Sequence, residues 1–289
     1  MQRRYLVTGA HGMLGSALVA RLRADGERAL GVDISEADLT REERARDLVK
    51  HAHPTHVIHC AAYTDVDGAE SDAETCHRAN ALAPKYVARA CANAGARMLM
   101  ISTDYVFDGK ATEPYPVDAE PNPVGVYARS KYTGEKAAAA ALEDCQIVRT
   151  AWLYGPGRRN FVVKIRDLLA RNGPLRVVND QRGSPTYAVD LAKRLIALTR
   201  LDVRGIFHLT NSGHCTWCEF ARKIAELLGK DPSVIQPVAT AERPVPAPRP
   251  AWSVLDCSRA LEIGLEPMRP WQEALADYLS RLSRGDCAG

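Results

Sequence analysis

The 289-residue sequence predicts an α/β fold: a doubly wound parallel sheet followed by a smaller C-terminal α/β region. Three observations carry this. Short apolar runs alternate with helical patterns from the first residues, as in βαβ units whose sheet is covered on both faces. Three glycines at three-residue spacing follow the first run. Small or polar residues follow the third and fourth runs, at the strand ends where open parallel sheets bind ligands.

Taken in order, "RYLVTG" reads as a strand, "GMLGSALVARLRADG" as a helix, "RALGVD" as a strand and "REERARDLVKHA" as a helix. "THVIHCAA" and "ARMLMISTD" are further strands, separated by one helix over "DAETCHRANALAPKYVARACANAG". A helix over "VYARSKYTGEKAAAAALE", the strand "CQIVRTAWLYG" and a later strand in "GIFHLTN" complete the regular part. "ERPVPAPRPAW" is a loop, because repeated proline excludes both helix and central strand. The expected division is a dinucleotide-binding unit over 1–155, to which 181–212 return, and a substrate-binding unit over 156–180 and 213–289.

Composition narrows the function class. Hydrophobic residues are 46% and charged residues 25%, and Lys plus Arg exceed Asp plus Glu by three, so no nucleic acid, membrane or acidic partner is called for. "MQRRYLVTGAHG" enters a strand directly, with no apolar leader, and no run is long enough to span a bilayer. The eight cysteines are scattered through apolar patterns, as free thiols of a cytoplasmic enzyme would be.

"LVTGAHGMLG" places Gly9, Gly12 and Gly15 between the first strand and first helix, the context a Rossmann-type dinucleotide site needs. Gly9, His11, Gly12, Met13 and Leu14 would meet the cofactor diphosphate at the helix N-terminus. Asp33, closing "LGVD", would accept hydrogen bonds from the adenosine ribose and disfavour a 2′-phosphate. Asp38 and Leu39 would lie beside the adenine, while Ala61, Ala62 and Tyr63 let the backbone come close. The expected cofactor is NADPH or NADH.

"VYARSKYTGEKAA" contains Tyr-x-x-x-Lys twice, as Tyr127 with Lys131 and Tyr132 with Lys136. Tyrosines five residues apart on a helix point about 140° apart, so one pair at most faces a given site, and spacing does not choose. The order Thr-Gly-x-x-Gly-x-x-Gly, then Thr103, then Tyr-x-x-x-Lys resembles the extended short-chain dehydrogenase/reductase superfamily. Within it, "STDYVFDG", "VYARSKYTGEKA", "RTAWLYG" and "VVNDQRGSPTY" resemble the dTDP-4-dehydrorhamnose reductase family, with matching from residue 4 to "RPAWSVLDCSRA".

The resemblance selects Tyr127 and Lys131, because the family places a Ser or Thr before the lysine, as Ser130 does, where the second pair has Glu135. Reduction of a ketone needs a hydride and a proton. Tyr127 would supply the proton, Lys131 would lower its pKa and hold the nicotinamide ribose, and Thr103 would orient the substrate oxygen. Tyr132 and Lys136 are then a solvated or interface face.

On the substrate side, Asp104 would hydrogen-bond the sugar and Trp152 would pack on a hexose face. The resemblance implies that Asn179 and Arg182 border the nucleotide and that Arg249 meets the diphosphate. Cys215-x-x-Cys218 has no second cysteine pair at ligand spacing, and Thr216-x-x-Glu219 reads as a capping box. The four histidines of "HAHPTHVIH" read as loop and strand residues. Ala17 and Val189 stand where some family members carry magnesium-binding glutamates, so no metal is expected.

The resemblance implies reduction of the C4 ketone of a dTDP-4-dehydro-6-deoxy-L-hexose, with dTDP-L-rhamnose as product and a nucleotide sugar as the small-molecule partner. A homodimer is left open. Alternatives are a 4-ketoreductase for another nucleotide deoxysugar, or a regulatory subunit resembling that of methionine adenosyltransferase. A dehydratase is disfavoured because Asp104 is followed by Tyr105 rather than an acid.

Overall fold

The structure, a computed structural model, describes residues 3–171 and 173–285. The first part of the chain runs β1 (Arg4–Thr8), α1 (Met13–Ala24), β2 (Arg28–Val32), α2 (Glu42–Ala52), β3 (His56–His59), α3 (Ala73–His77), α4 (Ala83–Ala94), β4 (Arg97–Thr103), α5 (Val126–Ala141) and β5 (Gln146–Thr150). It continues through β6 (Leu153–Tyr154), α6 (Phe161–Leu169), β7 (Leu175–Val178), β8 (Arg182–Gly183), β9 (Thr186–Tyr187), α7 (Ala188–Thr199) and β10 (Gly205–His208). The last elements are β11 (Cys215–Thr216), α8 (Trp217–Leu227), β12 (Ile235–Val238), α9 (Ser258–Glu262) and α10 (Trp271–Ser283).

Six strands form one parallel sheet in the order β10-β5-β4-β3-β1-β2. Successive side chains of a strand point to opposite faces, and both faces are packed. Tyr5, Val7, Ile58, Leu99 and Val148 meet α1 and α7 through Leu18, Leu22, Leu191 and Leu195. Leu6, Val57, Met98 and Ile147 meet α2, α4 and α5 through Val49, Val87, Cys91 and Ala138. Strand order reverses between β1 and β3, which opens a crevice at their carboxyl ends.

A second apolar core joins Tyr154, Val162, Ile165, Tyr187, Phe220, Ile224, Ile235, Leu275 and Tyr278. Pro237 is tolerated in β12 because that strand pairs only with β7. Among the described residues, no helix is long and apolar enough to cross a membrane.

The helix expected over residues 72–95 is interrupted. A π-turn over Arg78–Leu82 separates α3 from α4. Pro84 in the first turn of α4 has no N–H to offer the Asn80 carbonyl, so the α-helical bond at that point cannot form. The freed carbonyl abuts Gly134 of α5.

Candidate active site

The loop after β1 is shaped for close approach. Gly9 has φ +66°, and a Cβ there would stand 2.7 Å from the backbone nitrogen of Ala61. A Cβ on Gly15 would collide with the Gly9 carbonyl, so α1 packs directly on the loop. Gly12 caps α1 without a side-chain hydrogen bond, and no acid occupies the first turn, so neither a cap side chain nor a carboxylate serves the amides that open the helix. That cradle fits a diphosphate.

Asp33 ties this loop to the end of β2. Its Oδ2 accepts from the His11 amide at 2.9 Å and its Oδ1 from the Ile34 amide at 2.9 Å. A carboxylate has about four lone-pair directions, so acceptor capacity remains for a ribose hydroxyl. Leu39 is drawn into the core, and Asp38 is taken up by the amide and hydroxyl of Thr40 at 3.0 and 2.7 Å. Across the crevice, Ala61, Ala62 and Tyr63 leave β3 under the control of Asn80. The Asn80 amide exchanges bonds with the backbone of Tyr63 at 2.9 and 3.0 Å and donates to the Ser130 hydroxyl at 3.0 Å. Asn80 is 1% exposed and absent from the sequence-derived set, although Asn-x-x-x-Pro within a helical pattern was a local signal for the π-turn that aims it.

Thr103 ends β4, and Tyr127 and Lys131 occupy the first two turns of α5. Glu70, also missing from the sequence-derived set, accepts from the Val126 amide at 2.7 Å and so satisfies the N-terminus that presents Tyr127. The ring of Tyr127 meets Tyr105 edge-on, with centroids 5.8 Å apart. Lys131 is 4% exposed and its Nζ donates to the Ile101 carbonyl at 2.7 Å. Burial lowers its pKa to about 8, with Glu135, Cys60 and Cys76 pulling the other way.

Burial pushes the Tyr127 phenol up, opposed by the Thr103 hydroxyl, and this sets the background against which a lysine ammonium would act. The phenol therefore keeps its proton at neutral pH.

Thr103 donates to Asp104 at 3.0 Å. Asp104 is 2% exposed and burial raises its carboxyl to about 6, held down by the hydroxyls of Ser253 and Thr103. Its Oδ2 has no hydrogen-bond partner of ordinary geometry. A buried acceptor in that state suits a ligand hydroxyl. The duplicate pair faces elsewhere: the Lys136 ammonium lies 4.5 Å over the Tyr132 ring, which packs on Val106, Phe107 and Leu255.

Trp152 adopts φ +46°, a costly conformation for an aromatic residue, and stacks on Trp217 with centroids 3.5 Å apart and planes 6° apart. Trp217, half-buried and not singled out from the sequence, thus forms an aromatic platform with it. The Asn179 amide oxygen accepts from the Thr216 hydroxyl at 2.7 Å, and Arg182 pairs with Glu219 at 3.4 Å and lies beside His214. Arg249 is ion-paired with Asp67 at 2.9 Å, donates to the Ala247 carbonyl, and is 17% exposed. The pair joins the loop after β3 to the proline-rich loop.

The capping box at Thr216 and Glu219 is present, and Cys215 and Cys218 lie in the second core, where burial raises their thiols. Burial lowers His56 to about 4 and His59 to about 3, so both are neutral, and His59 Nδ1 bonds Thr8 at 2.8 Å.

A family model described as "RmlD substrate binding domain" matches residues 3–284. A dTDP-4-dehydrorhamnose reductase from Mycobacterium tuberculosis is 44% identical over 283 residues, covering 96% of this chain and 92% of the relative. A probable dTDP-4,6-dihydroxy-2-methyloxan-3-one 4-ketoreductase from Streptomyces antibioticus is 42% identical over 276 residues, covering 95% and 94%. The crystal structure of dTDP-4-dehydrorhamnose reductase from Bacillus anthracis in complex with NADP superimposes with a TM-score of 0.94 at 35% identity, covering 97% of this chain and 100% of that one.

Proposed function

The chain belongs to the family of the RmlD substrate binding domain, and on that premise we propose that it is an NAD(P)H-dependent 4-ketoreductase of a dTDP-4-dehydro-6-deoxy-L-hexose, forming dTDP-L-rhamnose. The observation that carries this is the convergence of Thr103, Tyr127 and Lys131 at the carboxyl end of β4, beside the Gly9–Gly15 cradle.

When bound, the nicotinamide coenzyme supplies a hydride to C4 of the sugar. The glycine loop and α1 N-terminus hold the diphosphate, Asp33 the adenosine ribose and Lys131 the nicotinamide ribose. Thr103 donates to the ketone oxygen and fixes its approach. Tyr127, protonated at neutral pH because it is buried, delivers its proton to that oxygen as negative charge develops. The Lys131 ammonium then stabilises the phenolate left behind. Asp104 accepts a sugar hydroxyl, the Trp152–Trp217 platform supports the hexose, and Asn179, Arg182 and Arg249 border the nucleotide. For Arg249 this requires the guanidinium to share donors with Asp67, which its five N–H groups allow.

The reading extends to a division into a cofactor unit (1–155 with 181–212) and a substrate unit, supported by a second core drawn mainly from the latter, which Tyr154 and Tyr187 join from the former. It also includes a cytoplasmic location, supported by seven free cysteines among the described residues, and a homodimer, which light scattering tests. A second reading, a 4-ketoreductase of another nucleotide deoxysugar, is favoured by the Streptomyces antibioticus relative, whose identity is close to that of the mycobacterial one.

The test is NAD(P)H oxidation with dTDP-4-keto-6-deoxyglucose, with and without a 3,5-epimerase, followed by identification of the sugar. Turnover only with the epimerase supports the L-hexose, and turnover without it supports the second reading. No oxidation in either case, with coenzyme bound, overturns both.

A further inference from the structure

On α5, residues 127, 131 and 135 fall one turn apart on a single row facing the sheet. Glu135 is 1% exposed. Its carboxylate takes a two-pronged contact from Arg149 of β5, Nε at 3.0 Å and Nη2 at 2.7 Å, and also accepts the Ser102 hydroxyl of β4. Ser102 and Arg149 are register partners across those two strands, so one carboxylate bolts the helix to both at a single level. Three successive residues of β4 are thereby committed to α5 and its site: the Ile101 carbonyl holds Lys131, Ser102 holds Glu135, and Thr103 faces Tyr127.

We propose that Glu135 is a positioning residue for the Tyr127–Lys131 pair, fixing α5 against β4 and keeping a carboxylate one turn behind the lysine ammonium. The inference rests on the proposed reductase reading for its consequence in turnover. A buried ion pair is by itself a poor source of stability, since apolar residues of similar volume often serve as well. Its place beneath the reacting row is what assigns it a role. The groups acting on Lys131 are Glu135 on α5, His59 and Cys60 at the end of β3, and Cys76 of α3; of these, Glu135 carries the one carboxylate. Glu135 therefore favours the charged lysine where burial opposes it.

The test compares Glu135→Gln with the double variant Glu135→Gln/Arg149→Met, which leaves no unpaired guanidinium in the core and so guards against simple unfolding. In a variant whose circular dichroism matches the parent, kcat should fall between about tenfold and a hundredfold while KM for the nucleotide sugar stays within about twofold. The alkaline limb of kcat should move down by about one pH unit, because the lysine loses its proton earlier. NAD(P)H binding, followed by coenzyme fluorescence from about pH 6 to pH 10, should show the same displacement without any turnover. A folded double variant with unchanged kcat and unchanged limbs overturns the proposal. If the parent protein lacks reductase activity but the binding limb still moves, the reductase reading fails and the positioning role stands.

Discussion

Helix α5 carries the same pair of residues at the same spacing on two of its faces, and only one face is turned to the sheet and the proposed site. Toward the sheet, Tyr127, Lys131 and Glu135 are enclosed, each with named partners on other elements. On the outer side, Lys136 is exposed and rests on Tyr132, whose half-buried ring packs on Val106, Phe107 and Leu255. The motif is thus not the determinant of function. What separates the faces is the removal of water, which raises the Tyr127 phenol, brings Lys131 to about 8 and makes each remaining charge count.

Substitutions on the two faces should diverge most in turnover. Tyr127→Phe should cost between about a hundredfold and ten-thousandfold in kcat with coenzyme binding retained, measured by fluorescence titration. Equal losses in Tyr127→Phe and Tyr132→Phe would erase the distinction between faces. Next in size is stability: Glu135→Ala leaves Arg149 buried and unpaired, and urea unfolding should register a loss of about 3–5 kcal/mol, against less than about 0.5 for Lys136→Ala.

Asp104, opposite the inner face, should behave in the reverse sense. Its folded carboxyl titrates near 6 rather than the usual 3.8, so the folded chain binds more protons than the unfolded one between those values. Stability from this group is fully present below the unfolded pKa and declines as pH rises through 6. Asp104→Asn should remove that slope and stabilise the protein at pH 7 by on the order of 2–3 kcal/mol, at the expense of substrate KM. A milder effect is the fall of kcat above about pH 8 as Lys131 is deprotonated. The smallest is Tyr132→Phe, expected to change kcat by less than about twofold.

The sheet was readable because its strands are buried on both faces and bounded by helical periods, and the glycine loop because its spacing is local. Tyr127 was chosen over Tyr132 by resemblance and by the threonine strand, since helix geometry leaves the two pairs equivalent. Residues whose role depends on partners far along the chain were not readable. Glu70 reaches Val126, Asp67 claims Arg249, and Trp217 stacks on Trp152. These pairings are set by how the elements pack, and no local period announces them. The break at Pro84 did have a local sign, but its consequence, the aim of Asn80 at Tyr63 and Ser130, is tertiary.

The second core draws on three separated stretches, from Tyr154 to Tyr187, from Cys215 to Ile235, and from Trp271 to Leu279, with α7 and β10 returning to the sheet between the first two. A crossover between two relatives at any single point would split one of the two cores between parents. Recombination therefore disturbs packing throughout this architecture, whereas single substitutions at surface-facing positions leave both cores whole. A chimera joined after β5, which divides the sheet core between parents, should be less stable to urea than either parent.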